Sequence, residues 1–292
     1  MLKTNSMRIA IVTPLRNEKK NIDKLFDSIS EQSIDIFLWV ILENGSTDGS
    51  KKILKQKRKP SNVRNMEILN IKESSIEYAL GENYARIVNF GFEYIVKKGD
   101  FKTIDYIGIL DSDIFLERSY YQLLLDAFSK NIYLGITSGI ILNTDGSVEK
   151  TSNNWVRGGC RLWRRECFNH SGYIVGPSAD ALSTAKAICN NWAVYPVINA
   201  IAYSRPKGAR VNHRYYGAST YFRGCNIFYL LIRVLHLFSR CKFSASYGMF
   251  LGYFNSLLKG AQRVTDRQVF QYYKYYPLSR VYYNYKIKKR NK

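Results

Sequence analysis

Short apolar runs alternate with helical stretches over roughly the first 130 residues, and no other feature narrows the fold as much. The runs are residues 8–13, 37–42, 66–71 and 104–110. The first two have the character of strands covered on both faces, and the other two read as a third and a fourth strand. Between them, Ile22, Leu25, Phe26 and Ile29 recur at helical spacing, and a second helix is expected from about Glu82 to Lys97, ended by Gly99. Pro14 is expected to stop the first strand. Strand and helix in alternation predict an α/β fold whose mostly parallel, Rossmann-like sheet is flanked by helices and takes its ligands at the carboxyl ends of the strands. Three polar clusters stand at those ends: residues 13–18, 43–48 and 111–113.

Composition excludes some alternatives. With 46% hydrophobic and 14% aromatic residues in a chain of 292, disorder is not the main state. The net charge of +21 is unevenly spread: from Arg205 onward 18 Lys or Arg stand against Asp266 alone, leaving about +4 for the first 204 residues. The expected organisation is a catalytic-type domain over residues 1–205 and a basic, helical extension over 206–292. Such an extension attracts polyanions: nucleic acid, an anionic membrane face or phosphorylated substrates. The five cysteines, Cys160, Cys167, Cys189, Cys225 and Cys241, lack zinc-site spacing, which fits a reduced, cytosolic compartment, and the short apolar run near the start does not read as a signal peptide.

Past residue 142 the pattern loosens. A hairpin is expected at residues 143–146, a Gly-rich strand around Gly158-Gly159 and a helix near residues 180–189. Two apolar stretches, residues 227–238 and 247–258, are each too short for the roughly 20 residues a spanning helix needs. They read as amphipathic helices that dock on the catalytic domain or lie in a membrane interface.

The sharpest chemical signal is Asp111-Ser112-Asp113, where an apolar run delivers two carboxylates one residue apart. Hard oxygen ligands at a strand end suit Mg²⁺ or Mn²⁺ bridging to substrate phosphates. The same residue types also make turns, and Ser112 or Asp113 as the cap of a helix starting near Glu117 is the competing reading.

Four motifs in order carry a resemblance: Thr13-Pro14-Leu15-Arg16-Asn17-Glu18, Glu43-Asn44-Gly45-Ser46-Thr47-Asp48, Asn83-Tyr84-Ala85-Arg86 and Asp111-Ser112-Asp113. Over roughly residues 7–205 the chain resembles the family-2 inverting glycosyltransferases of GT-A fold. The resemblance implies a nucleotide-sugar donor, UDP-linked in most similar proteins, held by Thr13, Pro14, Arg16, Glu18, Glu43, Arg86, Asp111 and Ser112. It implies a cation at Asp113, with His213 as a further contact to metal or diphosphate. Trp155 and Trp163 become acceptor-side sugar platforms, with core packing as the other reading of each. The general base falls on Asp180, although Ala179 stands where the family commonly has a first acid, and Asp145, Glu149 and Glu166 are alternative bases. Asp48 reads as a turn or cap residue.

The resemblance further implies a glycan or lipid-linked acceptor and a site of action in the cytoplasm, peripheral on the cytoplasmic membrane face. Rival readings are an inactive relative and a nucleic-acid-binding protein, the latter because 13 of the 23 tyrosines lie beyond Arg205 among the cations. No nucleic-acid motif accompanies them, which disfavours that partner.

Overall fold

A computed structural model of the chain describes residues 7–71, 81–98, 100–143, 155–204 and 213–290. The elements of the first half are β1 (Ile9–Leu15), α1 (Ile22–Ser30), β2 (Ile36–Glu43), α2 (Ser50–Gln56), β3 (Val63–Asn70), α3 (Glu82–Lys97), β4 (Tyr106–Ile109), β5 (Ile114–Leu116) and α4 (Tyr120–Lys130). There follow β6 (Leu134–Ser138), β7 (Ile140–Asn143), β8 (Arg161–Arg164), α5 (Arg165–Ser171), α6 (Ala179–Cys189), β9 (Ala193–Val194) and β10 (Ile201–Ser204). The helical remainder is α7 (His213–Phe222), α8 (Ile227–Ser239), α9 (Phe243–Leu258), α10 (Arg267–Lys274) and α11 (Leu278–Arg290).

Seven strands form the main sheet in the order β3-β2-β1-β4-β8-β6-β9, and β5-β10-β7 form a smaller one. Pairings among β3, β2, β1 and β4 are all parallel, whereas β8 runs antiparallel to both its neighbours. The chain moves outward from β1 through β2 to β3, then returns to the other side of β1 as β4. That reversal opens a crevice beyond the carboxyl ends of β1 and β4, where open α/β sheets bind ligands.

Strands β1, β2 and β4 are buried because both faces are covered, whereas at the edge strand β3 only Val63 is buried. Ile9 and Ile11 of β1 face a core with Leu25, Phe26 and Ile29 of α1 and Phe128 of α4, while Ala10 and Val12 face Val88, Phe92 and Ile95 of α3. Each large side chain so enclosed contributes roughly 1.5–3 kcal/mol. Pro14 does not end β1, which pairs with β2 as far as Leu15. The β4 ladder on its other side stops at Val12, so the missing Pro14 N–H leaves no bond unmade there.

The carboxyl-terminal helices divide in two. Val269, Tyr272 and Tyr273 of α10 and Ile287 of α11 share a buried cluster with Ala181, Leu182 and Ala185 of α6, so this part of the extension is fastened to the helix that carries Asp180. Asp266 strengthens the joint by accepting from Val269 N–H, which caps α10, and from Lys186 Nζ of α6 at 2.7 Å. By contrast α7, α8 and α9 surround a small cluster of their own, Tyr221, Leu230, Met249 and Tyr253. Glycine lets α7 and α9 approach closely: a Cβ at Gly252 would collide with the Arg214 carbonyl. The two apolar stretches are helices as expected, and no described helix is long and apolar enough to cross a membrane. The expected hairpin beyond Asn143 and the residue-205 boundary lie outside the described residues, and the five cysteines are free thiols.

Candidate active site

β4 feeds Asp111 directly into the crevice. Strand β5 follows Asp113, and α4 begins only at Tyr120 after Ser119, so Ser112 and Asp113 cap no helix. The triplet makes a tight turn instead, with Ile114 N–H donating to Asp111 C=O at 3.1 Å. Ser112 is buried and Asp113 half-buried.

Two glycines stand between this turn and α6. Asp111 N–H donates to Gly159 C=O at 2.7 Å, and a Cβ on Gly159 would collide with Asp111 Oδ2. A Cβ on Gly158 would lie 3.3 Å from Asp180 Cβ. The sequence marked these glycines as a strand; they form a loop that packs against both carboxylate residues. Only a residue without a side chain fits at 159 while leaving Asp111 in place.

Asp180 occupies the second position of α6, behind Ser178 at the cap position, and its side chain is 40% exposed. The fully buried Arg161 of β8 holds it. The guanidinium donates to the Asp180 carbonyl at 3.0 Å, to the Val156 and Arg157 carbonyls and to Thr184, and stands 3.9 Å from the Asp180 carboxylate. This buried cation offsets part of the repulsion within an acidic cluster. Burial and then the neighbouring Asp113 charge push the Asp111 carboxyl up to about 7, with Asp180 adding to the effect and Arg161 opposing it. Ala179, which precedes Asp180, is buried.

Three tyrosines complete the surroundings, and none was singled out from the sequence. Tyr84 of α3 donates its hydroxyl to Asp111 Oδ1. Burial, followed by the Asp111 charge, holds the Tyr84 phenol well above its ordinary range, so it remains a donor. Tyr173, packed edge-on against Phe92 and Trp163, is likewise raised by burial and then by the Asp180 and Asp111 charges. Tyr215 of α7 accepts from Ser178 N–H at 3.2 Å, and Ser178 Oγ lies 2.6 Å from Ser219 Oγ. These bonds tie α7 to the start of α6. The sequence signal for Tyr84 is its place inside the Asn83-Tyr84-Ala85-Arg86 motif.

Several residues read as ligand contacts have other work in the structure. Thr13 is fully buried, and its hydroxyl accepts from Trp39 Nε1 at 2.9 Å. Glu43 is buried, and one of its oxygens accepts from Ser46 N–H at 2.6 Å. Ser46 and Asp48 in turn accept from Asn17 and Lys19 N–H, Asn17 accepts from Thr47 N–H, and Ser50 accepts from Glu18 N–H. The first two motif loops are thus stitched together, with Pro14 and Arg16 half-exposed at the crevice edge and Glu18 holding Asn21. Asp48 is a turn residue, as expected. Arg86 lies on the exposed side of α3, paired with Glu82 at 2.6 Å. Trp163 is no sugar platform: it is wholly buried among Phe92, Phe168 and Tyr173. Trp155 packs on the cluster shared by α6 and α10. Among the described residues no three His, Cys, Asp or Glu converge as a metal-binding set; His213, at the start of α7, has its Cβ against Gly248 of α9 and its ring 6.4 Å from that of Tyr216. Glu166 pairs with Arg165 at 3.0 Å, while Asp145 and Glu149 lie outside the described residues.

Comparison with known proteins places this arrangement. The structure of TarS 1-349 from S. aureus in complex with UDP superimposes with a TM-score of 0.55 at 14% identity, covering 73% of this chain and 63% of that one. The same protein with UDP-GlcNAc gives a TM-score of 0.54 at 14% identity, over 74% of this chain and 66% of that one. This chain therefore spans slightly less than two thirds of that TarS fragment. A mannosyltransferase from Pyrobaculum calidifontis, PcManGT, in complex with GDP-Man and Mn2+, gives a TM-score of 0.55 at 11% identity, over 95% of this chain and 83% of that one. The shared fold is the GT-A type. No significant match was found among curated protein sequences. The sequence profile of Glycosyl transferase family 2 matches residues 10–185, from the first strand of the sheet through the helix bearing Asp180, and the chain belongs to that family.

Proposed function

We propose that the protein transfers a sugar from a nucleotide-diphosphate sugar, most simply a UDP-sugar, to a hydroxyl of a glycan or lipid-linked acceptor, with inversion at the anomeric carbon. The observation that carries this reading is the Asp111-Ser112-Asp113 turn at the end of β4, where the strand order reverses, with Asp180 facing Asp111 across the Gly158-Gly159 backbone. The solved relatives support the donor class: one binds UDP and UDP-GlcNAc, another GDP-Man with Mn2+.

The residues present fit a divalent cation. Mg²⁺ and Mn²⁺ take one or two carboxylates and complete their shell with substrate phosphates and water, so a three-residue cage is not required. The acidic cluster that lifts the Asp111 carboxyl is a place where positive charge relieves repulsion. Asp113 would hold the cation and Asp111 would face the ribose. When bound, the cation offsets the negative charge that develops on the departing diphosphate.

The chain's own groups do the rest. Tyr84 fixes the Asp111 carboxylate by donating to it. Asp180, half-open to solvent and anchored by Arg161, is the general base. Its carboxylate takes the proton from the acceptor hydroxyl while that oxygen bonds to the anomeric carbon. On the opposite face the bond to the diphosphate oxygen breaks, and its electron pair leaves with the nucleotide.

The test is donor turnover by purified protein with Mn²⁺ across a panel of nucleotide sugars, followed by the anomeric configuration of the transferred sugar. Asp180→Asn should leave donor binding within about threefold while transfer falls on the order of 10²–10⁴-fold. A product with the donor's configuration contradicts inversion, and no turnover of any donor makes the chain an inactive relative.

A further inference from the structure

The α8–α9 hairpin presents an apolar face that none of the described residues covers. On α8, Phe228, Leu231, Ile232, Leu235 and Phe238 fall on one side of the helix, with Phe228 at 73% and Ile232 and Leu235 both at 66% exposure. Only Leu230 of that helix is buried. The face continues across the turn: the Phe238 and Phe243 rings meet at 5.0 Å, and the exposed Tyr247 extends the stripe along α9. A soluble helix of this composition normally turns such a stripe inward, so a contiguous exposed one marks an interaction surface.

The charges around it select the occupant. Arg240 and Lys242 form the exposed turn between the helices at the end of the stripe, and Lys259 follows α9. No Asp or Glu occurs between Arg205 and Thr265. A second copy of this chain would set one basic face against another. A polynucleotide would match the cations but leave the Phe, Leu and Ile side chains without a partner. A bilayer with anionic headgroups satisfies both, taking the stripe into its headgroup and acyl boundary while phosphates meet the rim. The helices have 13 and 16 residues, lengths suited to lying in an interface and not to crossing it.

We propose that the α8–α9 hairpin is a monotopic anchor that seats the protein on an anionic lipid surface through Phe228, Leu231, Ile232, Leu235 and Phe238. The anchor is independent of the donor assignment and stands or falls without it. Because α7 links α9 to the start of α6, the anchor also fixes the distance of Asp180 from the lipid surface.

Flotation of the full-length protein with phosphatidylcholine vesicles, with and without phosphatidylglycerol, tests the proposal. The protein should float with the anionic vesicles and far less with the neutral ones. An Ile232→Ser, Leu235→Ser double variant should lose roughly tenfold in partitioning while its melting temperature and donor hydrolysis stay unchanged. An Arg240→Gln, Lys242→Gln variant keeps the stripe and should lose only the preference for anionic lipid, so it reports even if the first variant folds poorly. Wild-type protein that stays with the unbound fraction overturns the anchor. So does undiminished flotation of the double variant, or a solution dimer that this variant converts to monomer.

Discussion

At the ends of β1 and β4, acidic side chains are crowded together and partly enclosed; on α8 and α9, large apolar side chains are left in water. Folding stability favours neither. Clustered carboxylates repel one another, and an exposed Phe or Ile contributes none of the stabilisation it would supply when covered. Both regions are nevertheless held by well-packed supports: Arg161, Tyr84 and the two glycines behind the carboxylates, and the α7–α9 contact behind the stripe. A fold that places side chains against their local preference, on a rigid support, is shaped by what it binds. On the functions proposed above, one region is shaped for a cation and a diphosphate, the other for lipid.

Substitutions separate the two regions by what they cost. The largest effect is expected at Gly159→Ala, whose methyl would displace Asp111. Stability should fall by about 1–3 kcal/mol through overpacking, and donor turnover on the order of 10²-fold or more, read by thermal melting and by nucleotide release. Tyr84→Phe removes the donor to Asp111 without emptying the site, so turnover should fall roughly tenfold with the fold intact. At the joint between α6 and α10, Asp266→Ala should cost about 1 kcal/mol in chemical denaturation at neutral pH. Burial works against the Asp266 carboxylate, but the hydrogen bonds from Lys186 and Val269 prevail and hold its pKa below the usual value. A depressed folded-state pKa stabilises above the unfolded value of about 3.9 and is lost as pH falls through the folded one. The gap between wild type and variant should therefore begin to narrow only as pH falls below about 4, and close further toward the lower folded-state value. The smallest effect belongs to the stripe: Ile232→Ser with Leu235→Ser should shift stability by no more than about 0.5 kcal/mol, because neither side chain is covered. A loss of several kcal/mol there would show that the stripe has a partner within the molecule and would erase the contrast.

The sheet was legible because a strand covered on both faces leaves an apolar run, as β1, β2 and β4 do; the edge strand β3, interrupted by Arg64, Asn65 and Glu67, leaves a weaker one. Asp180, Gly158 and Gly159 were legible as motif positions, though not as neighbours across the crevice. What misled was side-chain direction. Trp163 lies in a strand of alternating faces, and composition alone does not tell which face meets the core; the structure turns it inward onto Phe92. Thr13 and Glu43 stand at strand ends, where polar residues serve a ligand or the loops themselves, and here hydrogen bonds to Trp39 and Ser46 occupy them. Charge marks Arg86 in the sequence, whereas only helical phase distinguishes Tyr84 two residues before it. On α3 that phase sends Tyr84 to Asp111 and Arg86 to solvent. The outward stripe of α8 was visible as amphipathicity, but which face would be covered depended on the packing of α7 and α9.

Calorimetric titration of UDP into the protein, with and without Mn²⁺, tests the carboxylate cluster most directly. Wild type should bind UDP appreciably only with Mn²⁺ present, and Asp113→Ala, with an unchanged melting temperature, should bind it no better with the metal than without. Binding that ignores the metal in wild type, or that keeps its full metal dependence in Asp113→Ala, would contradict the assignment of Asp113 to the cation.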